Sequence, residues 1–259
     1  MGEDYLGWIQ SSPFVSTHTM ATNTSTRHKI VTQLFNALSK HAKAKPMEAR
    51  PVLEQFVYAI LRENSTRASA DQAFQSLQDR FYDWNEVRVS STLEIVEALD
   101  GTVSDPEARG QRIVDFLQEI FETTYSFDLE PLLEVLQKKG LKQASKQLLR
   151  FQAANDYAVF WVMQHSLGSH AIPLDAAARR VLKRIGLTED QHDVEALRAS
   201  IEHQVPKGKT TQFIDLMSVL ADLFCHEDEP ACSGCPLRSF CPTGQEVKVT
   251  VGATSKKPR

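Results

Sequence analysis

All four cysteines of this 259-residue chain stand between Cys225 and Cys241, in the run "CHEDEPACSGCPLRSFC". Cysteines that merely fill a core scatter along a sequence. Four crowded together point to something held in common. Their spacing is Cys225-x6-Cys232-x2-Cys235-x5-Cys241. Structural zinc sites more often use two C-x2-C pairs, each closing a tight knuckle. Here only one such pair exists, and the other two thiols sit on longer arms. That pattern suits a [4Fe–4S] cluster, in which each thiolate binds a different iron. A zinc ion, or thiols with a structural or redox role, are the alternatives. Pro230 and Pro236 stiffen the backbone beside the ligands. A loop with so few residues to bury takes its order from the metal.

The rest of the chain reads as helix after helix. "RHKIVTQLFNALSKHAK" spaces Ile30, Leu34 and Leu38 four apart, one stripe of a helix. "RPVLEQFVYAILREN" opens with Pro51 in the first-turn position that proline tolerates, then turns apolar. "SADQAFQSLQDRF", "TLEIVEAL", "DPEARGQRIVDFLQEIFETTY" and "LEPLLEVLQKK" continue the pattern. "DYAVFWVMQHSL" is apolar nearly all round, as a helix buried in a domain centre must be. "LDAAARRVLKRIGL", "DVEALRASIEHQV" and "TTQFIDLMSVLADLFC" complete about ten helices, so the expected fold class is all-α. The Ser/Thr-rich residues 1–24 read as a disordered leader, with Met20 a second candidate start, and 246–259 as a flexible tail.

Composition narrows the setting. With 42% hydrophobic and 24% charged residues the chain is an ordinary globular one. It has no apolar run of membrane-spanning length, and its N-terminus lacks the order of a signal peptide. A cytoplasmic, membrane-free, monomeric protein is the expectation, and there clustered thiols are more often metal ligands than disulfides. The net charge of −4 gives no general attraction to nucleic acid. Basic residues nevertheless concentrate in "KKGLKQASKQLLR", which carries Lys142, Lys146 and Arg150, and in "ARRVLKR". A solvated helix face is the commoner reading of such runs.

The cysteine pattern after a helix, near the end of an all-helical chain, resembles the endonuclease III family of DNA glycosylases, of the helix-hairpin-helix superfamily. "HSLGSHAIPLDAAARRVLKRIGL" resembles the family segment leading through a glycine turn to V-D-T-H, and the family's catalytic aspartate falls on Asp175. "FVYAILRENSTRASADQAF" resembles the segment whose amide side chain enters the duplex, at Asn64. The family hairpin, L-P-G-V-G and a basic pair, aligns with "FQAANDY". Ala153 and Asn155 replace its glycines, and Tyr157 stands where bifunctional members carry their Schiff-base lysine. The loop between the first two cysteines, usually basic, reads "HEDEPA".

The resemblance implies two helical lobes with a cleft between them. Residues 46–168 would form a helical barrel domain with a degenerate helix-hairpin-helix. Residues 25–45 plus 169–245 would form the iron–sulfur cluster domain. Asp175 would stabilise an oxocarbenium-like sugar cation and orient water; read without the resemblance, it is a helix N-cap. Tyr157 has no amine and forms no imine, which implies hydrolysis without β-lyase chemistry; read alone, it packs at a helix start. Asn64 would fill the gap left by a flipped base. Lys142, Lys146, Arg150 and Asn155 would contact double-stranded DNA, although "FQAAND" also reads as an N-capped turn. The implied function is a monofunctional DNA glycosylase of base-excision repair, associated with the nucleoid. The alternative is a non-catalytic relative that keeps fold and cluster as a DNA- or protein-binding scaffold.

Overall fold

The computed structural model describes residues 24–38, 40–41, 46–188 and 193–246. The expected leader up to residue 23, with Met20, and the tail from 247 lie outside them.

Among the described residues the chain is all-α, with thirteen helices. They are α1 (Thr24–Leu38), α2 (Val52–Arg62), α3 (Arg67–Arg80), α4 (Trp84–Val89), α5 (Thr92–Leu99), α6 (Pro106–Thr124) and α7 (Glu130–Lys139). Then follow α8 (Leu141–Leu148), α9 (Asp156–His165), α10 (Ala176–Arg184), α11 (Val194–Gln204), α12 (Thr210–Leu223) and α13 (Pro242–Glu246). The three beyond the expected ten are the short ones. α4 and α13 hold six and five residues, too few to show a period. α8 is cut from α7 by Gly140, whose φ of +83° no helix accepts.

Side-chain caps start most of these helices. Thr66, Asp83, Asp105, Asn155, Asp175 and Asp193 each accept a backbone N–H from the first turn that follows. Ser91 and Glu94 form a reciprocal capping box on α5. Pro51 sits one place earlier than its sequence suggests, at the N-cap of α2.

The helices pack in two groups. In the first, α2 lies against α3, α6 and α9, α6 carries α4 and α5, and α8 bridges α7 and α9. In the second, α1 lies against α11 and α12, and α10 lies against α12 and α13. The chain therefore begins in the second group, builds the first, and returns. α2 and α9 form the centre of the first group. Tyr58 meets Trp161 at 5.5 Å between ring centroids, Phe56 meets Phe116 at 4.8 Å, and the buried Gln55 accepts the Trp161 indole N–H at 3.0 Å.

At the end of α9 the His165 ring packs on Trp161 at 4.4 Å, with its Nε2 buried and unpartnered. Burial pushes its imidazole down to about 4, and the cations Arg67, Arg50 and Arg62 push the same way. An unfolded chain would bind that proton near pH 6.5, so below that pH the unfolded state holds more protons and stability falls with pH. From pH 7 to pH 5 urea unfolding should register a loss of about 2 kcal/mol from this group alone. His165→Phe should flatten that part of the profile.

Candidate active site and metal centre

Asp175 is the N-cap of α10 and is buried, with 6% of its surface exposed. Its Oδ1 accepts the Ala178 N–H at 2.7 Å, and its Oδ2 accepts the Asn64 N–H at 2.8 Å. Asn64 answers through its side chain, whose Oδ1 accepts the Ala177 N–H at 3.1 Å. The backbone of Asn64 lies in the left-handed region, φ +54°, which asparagine tolerates better than most residues. So the segment after α2 and the start of α10 are bound to each other by two side chains and two amides. Asn64 thereby spends its carbonyl oxygen inside the protein.

Two arginines hold that segment in place. Arg109, on α6, donates to the carbonyls of Ile60, Leu61 and Glu63, capping the open end of α2. Arg62 is fully buried, donates to the Ser65 carbonyl, and reaches α12, where Nη2 meets Asp215 Oδ1 at 3.2 Å and Ser218 Oγ at 2.9 Å. Arg67 pairs with the other oxygen of Asp215 at 3.0 Å. Burial raises the Asp215 carboxyl, and the two guanidiniums oppose the rise.

Tyr157, one residue into α9, is buried and its ring stacks on Trp161 at 6.1 Å. Its hydroxyl is buried with no hydrogen-bond partner. Burial drives the phenol well above its ordinary value; Arg62 pulls it down, while Asp175 and Glu63 push it further up. Tyr157 and Asp175 thus stand within electrostatic reach of one another, and the phenol stays protonated at neutral pH. Asn155 caps α9 and gives its amide to both Glu63 oxygens, at 2.8 and 3.0 Å. The turn "FQAAND" is therefore an N-capped turn, and neither Ala153 nor Asn155 takes a positive φ. Lys142 and Lys146 are exposed on α8, and Arg150 is exposed in the turn after it. Hydrogen bonds join Asp175 to Asn64 and tie Asn155 to the adjacent Glu63, Tyr157 is buried two residues after Asn155, and these three cations stay on the surface. A groove of about 270 Å³ opens beside Asn64, Thr66 and Ala177, with Arg180, Asp222 and Glu227 on its other wall. The framing residues Arg62, Glu63, Arg109 and Asp215 carried no signal in the sequence. Their partners lie far along the chain.

The four cysteines follow α12 on a loop whose turns are closed by its own backbone, including Cys235 N–H to the Cys232 carbonyl at 3.3 Å. Arg184 secures the loop through the His226 and Glu227 carbonyls, and Arg180 through the Cys225 carbonyl at 2.9 Å. Arg184 Nη1 lies 3.5 Å from Cys225 Sγ, and the Gly244 N–H lies 3.4 Å from Cys241 Sγ. Burial raises the Cys235 and Cys241 thiols; backbone N–H groups oppose it, and the neighbouring cysteines add to it. The four sulfurs are therefore within electrostatic reach of each other, and N–H donors that favour thiolate meet those of Cys225, Cys235 and Cys241. Among the described residues no three His, Cys, Asp or Glu side chains converge tightly enough to ligate one ion. The all-thiolate donor set and its wide spacing fit a cluster of several metals better than a single ion.

No protein-family model matches this sequence, and no curated protein does. Solved structures do. A trapped endonuclease III–DNA covalent intermediate superposes with a TM-score of 0.61 at 16% identity, covering 85% of this chain and 97% of that one. The chain has the endonuclease III fold. A non-covalent endonuclease III–DNA complex matches at 0.60, with 16% identity over 85% of this chain and 96% of that one. A thermostable thymine-DNA glycosylase matches at 0.58, with 16% identity over 86% and 99%. At such identity the likeness speaks to the fold. The all-α expectation is met, and among the described residues no helix is long and apolar enough to cross a membrane.

The Asn64 lock makes a stability claim. Asn64→Ala loses the Ala177 bond and puts into left-handed backbone a residue that tolerates it less well than asparagine, and should cost about 2 kcal/mol. Asn64→Gly keeps the backbone and should cost about half as much. Equal losses in urea unfolding would show that the backbone conformation contributes nothing.

Proposed function

We propose that this protein binds double-stranded DNA and hydrolyses the N-glycosidic bond of a base turned out of the helix. The observation that carries this reading is Asp175, a carboxylate fixed at the junction of the two helix groups beside a residue with no amine. The proposed lobes are residues 46–168 and residues 25–45 with 169–245, with the proposed cleft between them at Asp175. In the reaction the bond from C1′ to the base nitrogen breaks and its electron pair leaves with the base. Water adds at C1′, and the proton it gives up is taken by the departing base. A carboxylate has about four acceptor sites, and the amides of Asn64 and Ala178 take two. The remainder can face the developing cation or orient the water. Asn155, Lys142, Lys146 and Arg150 are the proposed backbone contacts, with Asn64 beside the extruded base. A DNA substrate sets the protein to work in the cytoplasm, at the nucleoid.

Cys225, Cys232, Cys235 and Cys241 are the proposed ligands of a [4Fe–4S] cluster. When bound, it supplies the order that the loop's few apolar residues do not. Protein purified without oxygen should be brown and hold iron and acid-labile sulfide in near-equal amounts. Cys232→Ser should lose colour and stability together. Stoichiometric zinc without sulfide, in protein from its native source, would sink the assignment.

A second reading is a scaffold that binds DNA or protein without chemistry. The burial of Asp175 and the orphaned Tyr157 hydroxyl favour it. Single-turnover excision on a panel of lesion-bearing duplexes separates the two. Hydrolysis predicts abasic sites, strand breaks only after alkali, and no complex trapped by borohydride. Asp175→Asn keeps the cap on α10 at the cost of the Asn64 N–H bond, and should abolish excision with binding retained. No excision of any base alongside intact binding would establish the scaffold, and a robust trapped complex would show an amine at work.

A further inference from the structure

The turn from Phe151 to Asn155 lies between the cationic end of α8 and the start of α9, and α6 grips its backbone at two points. Arg112 Nε donates to the Ala153 carbonyl at 2.8 Å. One face further along the same helix, Glu119 Oε2 accepts the Gln152 N–H at 2.8 Å. Gln152 is exposed, and three exposed cations, Lys142, Lys146 and Arg150, precede it. An outward N–H beside fixed positive charge is what an anion seeks. Here the protein's own carboxylate has taken it. The hollow in front of the turn, about 790 Å³, carries Asp115 and Glu122 as well as Glu119. Its one lining cation, Arg112, is engaged by Ala153 and by Glu63 at 2.6 Å.

We infer that Glu119 is the residue that limits this protein's affinity for nucleic-acid backbone, by occupying the Gln152 N–H that a phosphate oxygen would otherwise accept. This rests on the DNA-binding reading. The cations of α8 draw a phosphate toward the turn; the carboxylate denies it the donor and repels it at contact range. Binding is left to the surface cations, with weak affinity that falls steeply as salt rises.

The test compares the wild type with Glu119→Ala and Glu119→Gln as full-length proteins. Glu119→Gln keeps an acceptor for Gln152 and removes only the charge, which protects the turn's folding. Fluorescence anisotropy on a labelled duplex across a salt series should show Glu119→Ala binding about 5- to 10-fold tighter. The slope of log K against log salt should steepen by up to about 0.9, as the cations of α8 neutralise one further phosphate once the carboxylate is gone. Glu119→Gln should fall between. In parallel, titration with inorganic sulfate should move the Gln152 amide resonance in Glu119→Ala and leave it still in the wild type. Unchanged affinity and slope, where the wild type binds measurably, would overturn the inference and leave DNA binding standing. A Gln152 amide indifferent to sulfate in the variant would overturn it whatever happens with DNA. If no protein of the series binds duplex yet the amide responds, the turn is confirmed as a blocked anion site and the DNA reading is what fails.

Discussion

A single buried guanidinium decides how the two helix groups meet. Arg62 ends α2 in the first group with no exposed surface, and its partners Asp215 and Ser218 belong to α12 in the second. Taking such a charge out of water costs several kcal/mol, recovered only when the geometry of its partners is good. The Ser65 carbonyl, a hydroxyl and a carboxylate shared with Arg67 supply that geometry. The groups therefore cannot slide past each other without stranding the charge. This fixes residues 63–66, and with them the amide of Asn64 that Asp175 needs. The position of the candidate carboxylate is a consequence of an ion pair it does not touch.

The same economy runs through the turns. Where flexible glycines are absent, side chains from other helices satisfy the backbone. Arg109 closes the end of α2, Arg112 and Glu119 close the turn before α9, and Arg180 and Arg184 close the loop that bears Cys225. Each is a charged group meeting a backbone dipole, the stronger kind of hydrogen bond. Such turns are rigid. They are also less able to give their amides to a ligand, because a donor already paired must first be released.

What the sequence disclosed follows from the range of each interaction. Helices whose apolar spacing runs for three turns, such as α2, α6 and α12, were legible, as were the caps at Asp175 and Asn155, which act within three residues. The cysteine spacing was legible because its ligands are local. α8 read as a charge run, since its apolar contacts are only Ala144 and Leu148. Asn64 read as a residue for DNA through the resemblance alone, and its bond with Ala177, 113 positions away, is invisible along the chain. Arg62, Glu63 and Glu119 escaped for the same reason. Nothing next to Glu119 in sequence says that it reaches Gln152, 33 residues on.

The exchange of an amine for Tyr157 has a wider electrostatic effect than the loss of a nucleophile. A lysine brings a positive charge that titrates. The phenol, held protonated by burial, brings none, and the fixed positive charge nearby belongs to Arg62. Asp215 faces that charge at 3.2 Å and is shared with Arg67 at 3.0 Å. The negative charge of Asp175 is met instead by two amide dipoles. Neutral donors steady a carboxylate without cancelling its field. A carboxylate held in this way suits the proposed stabilisation of a sugar cation, and with a phenol at Tyr157 in place of an amine the proposed reaction takes its nucleophile from solvent. Asp175 is 6% exposed, and the groove lined by Asn64 and Ala177, the two residues that share its hydrogen bonds, is where the proposed water would enter. Arg62 and Asp215, by holding the segment that carries Asn64, therefore set the wall of that groove as well as the place of the carboxylate.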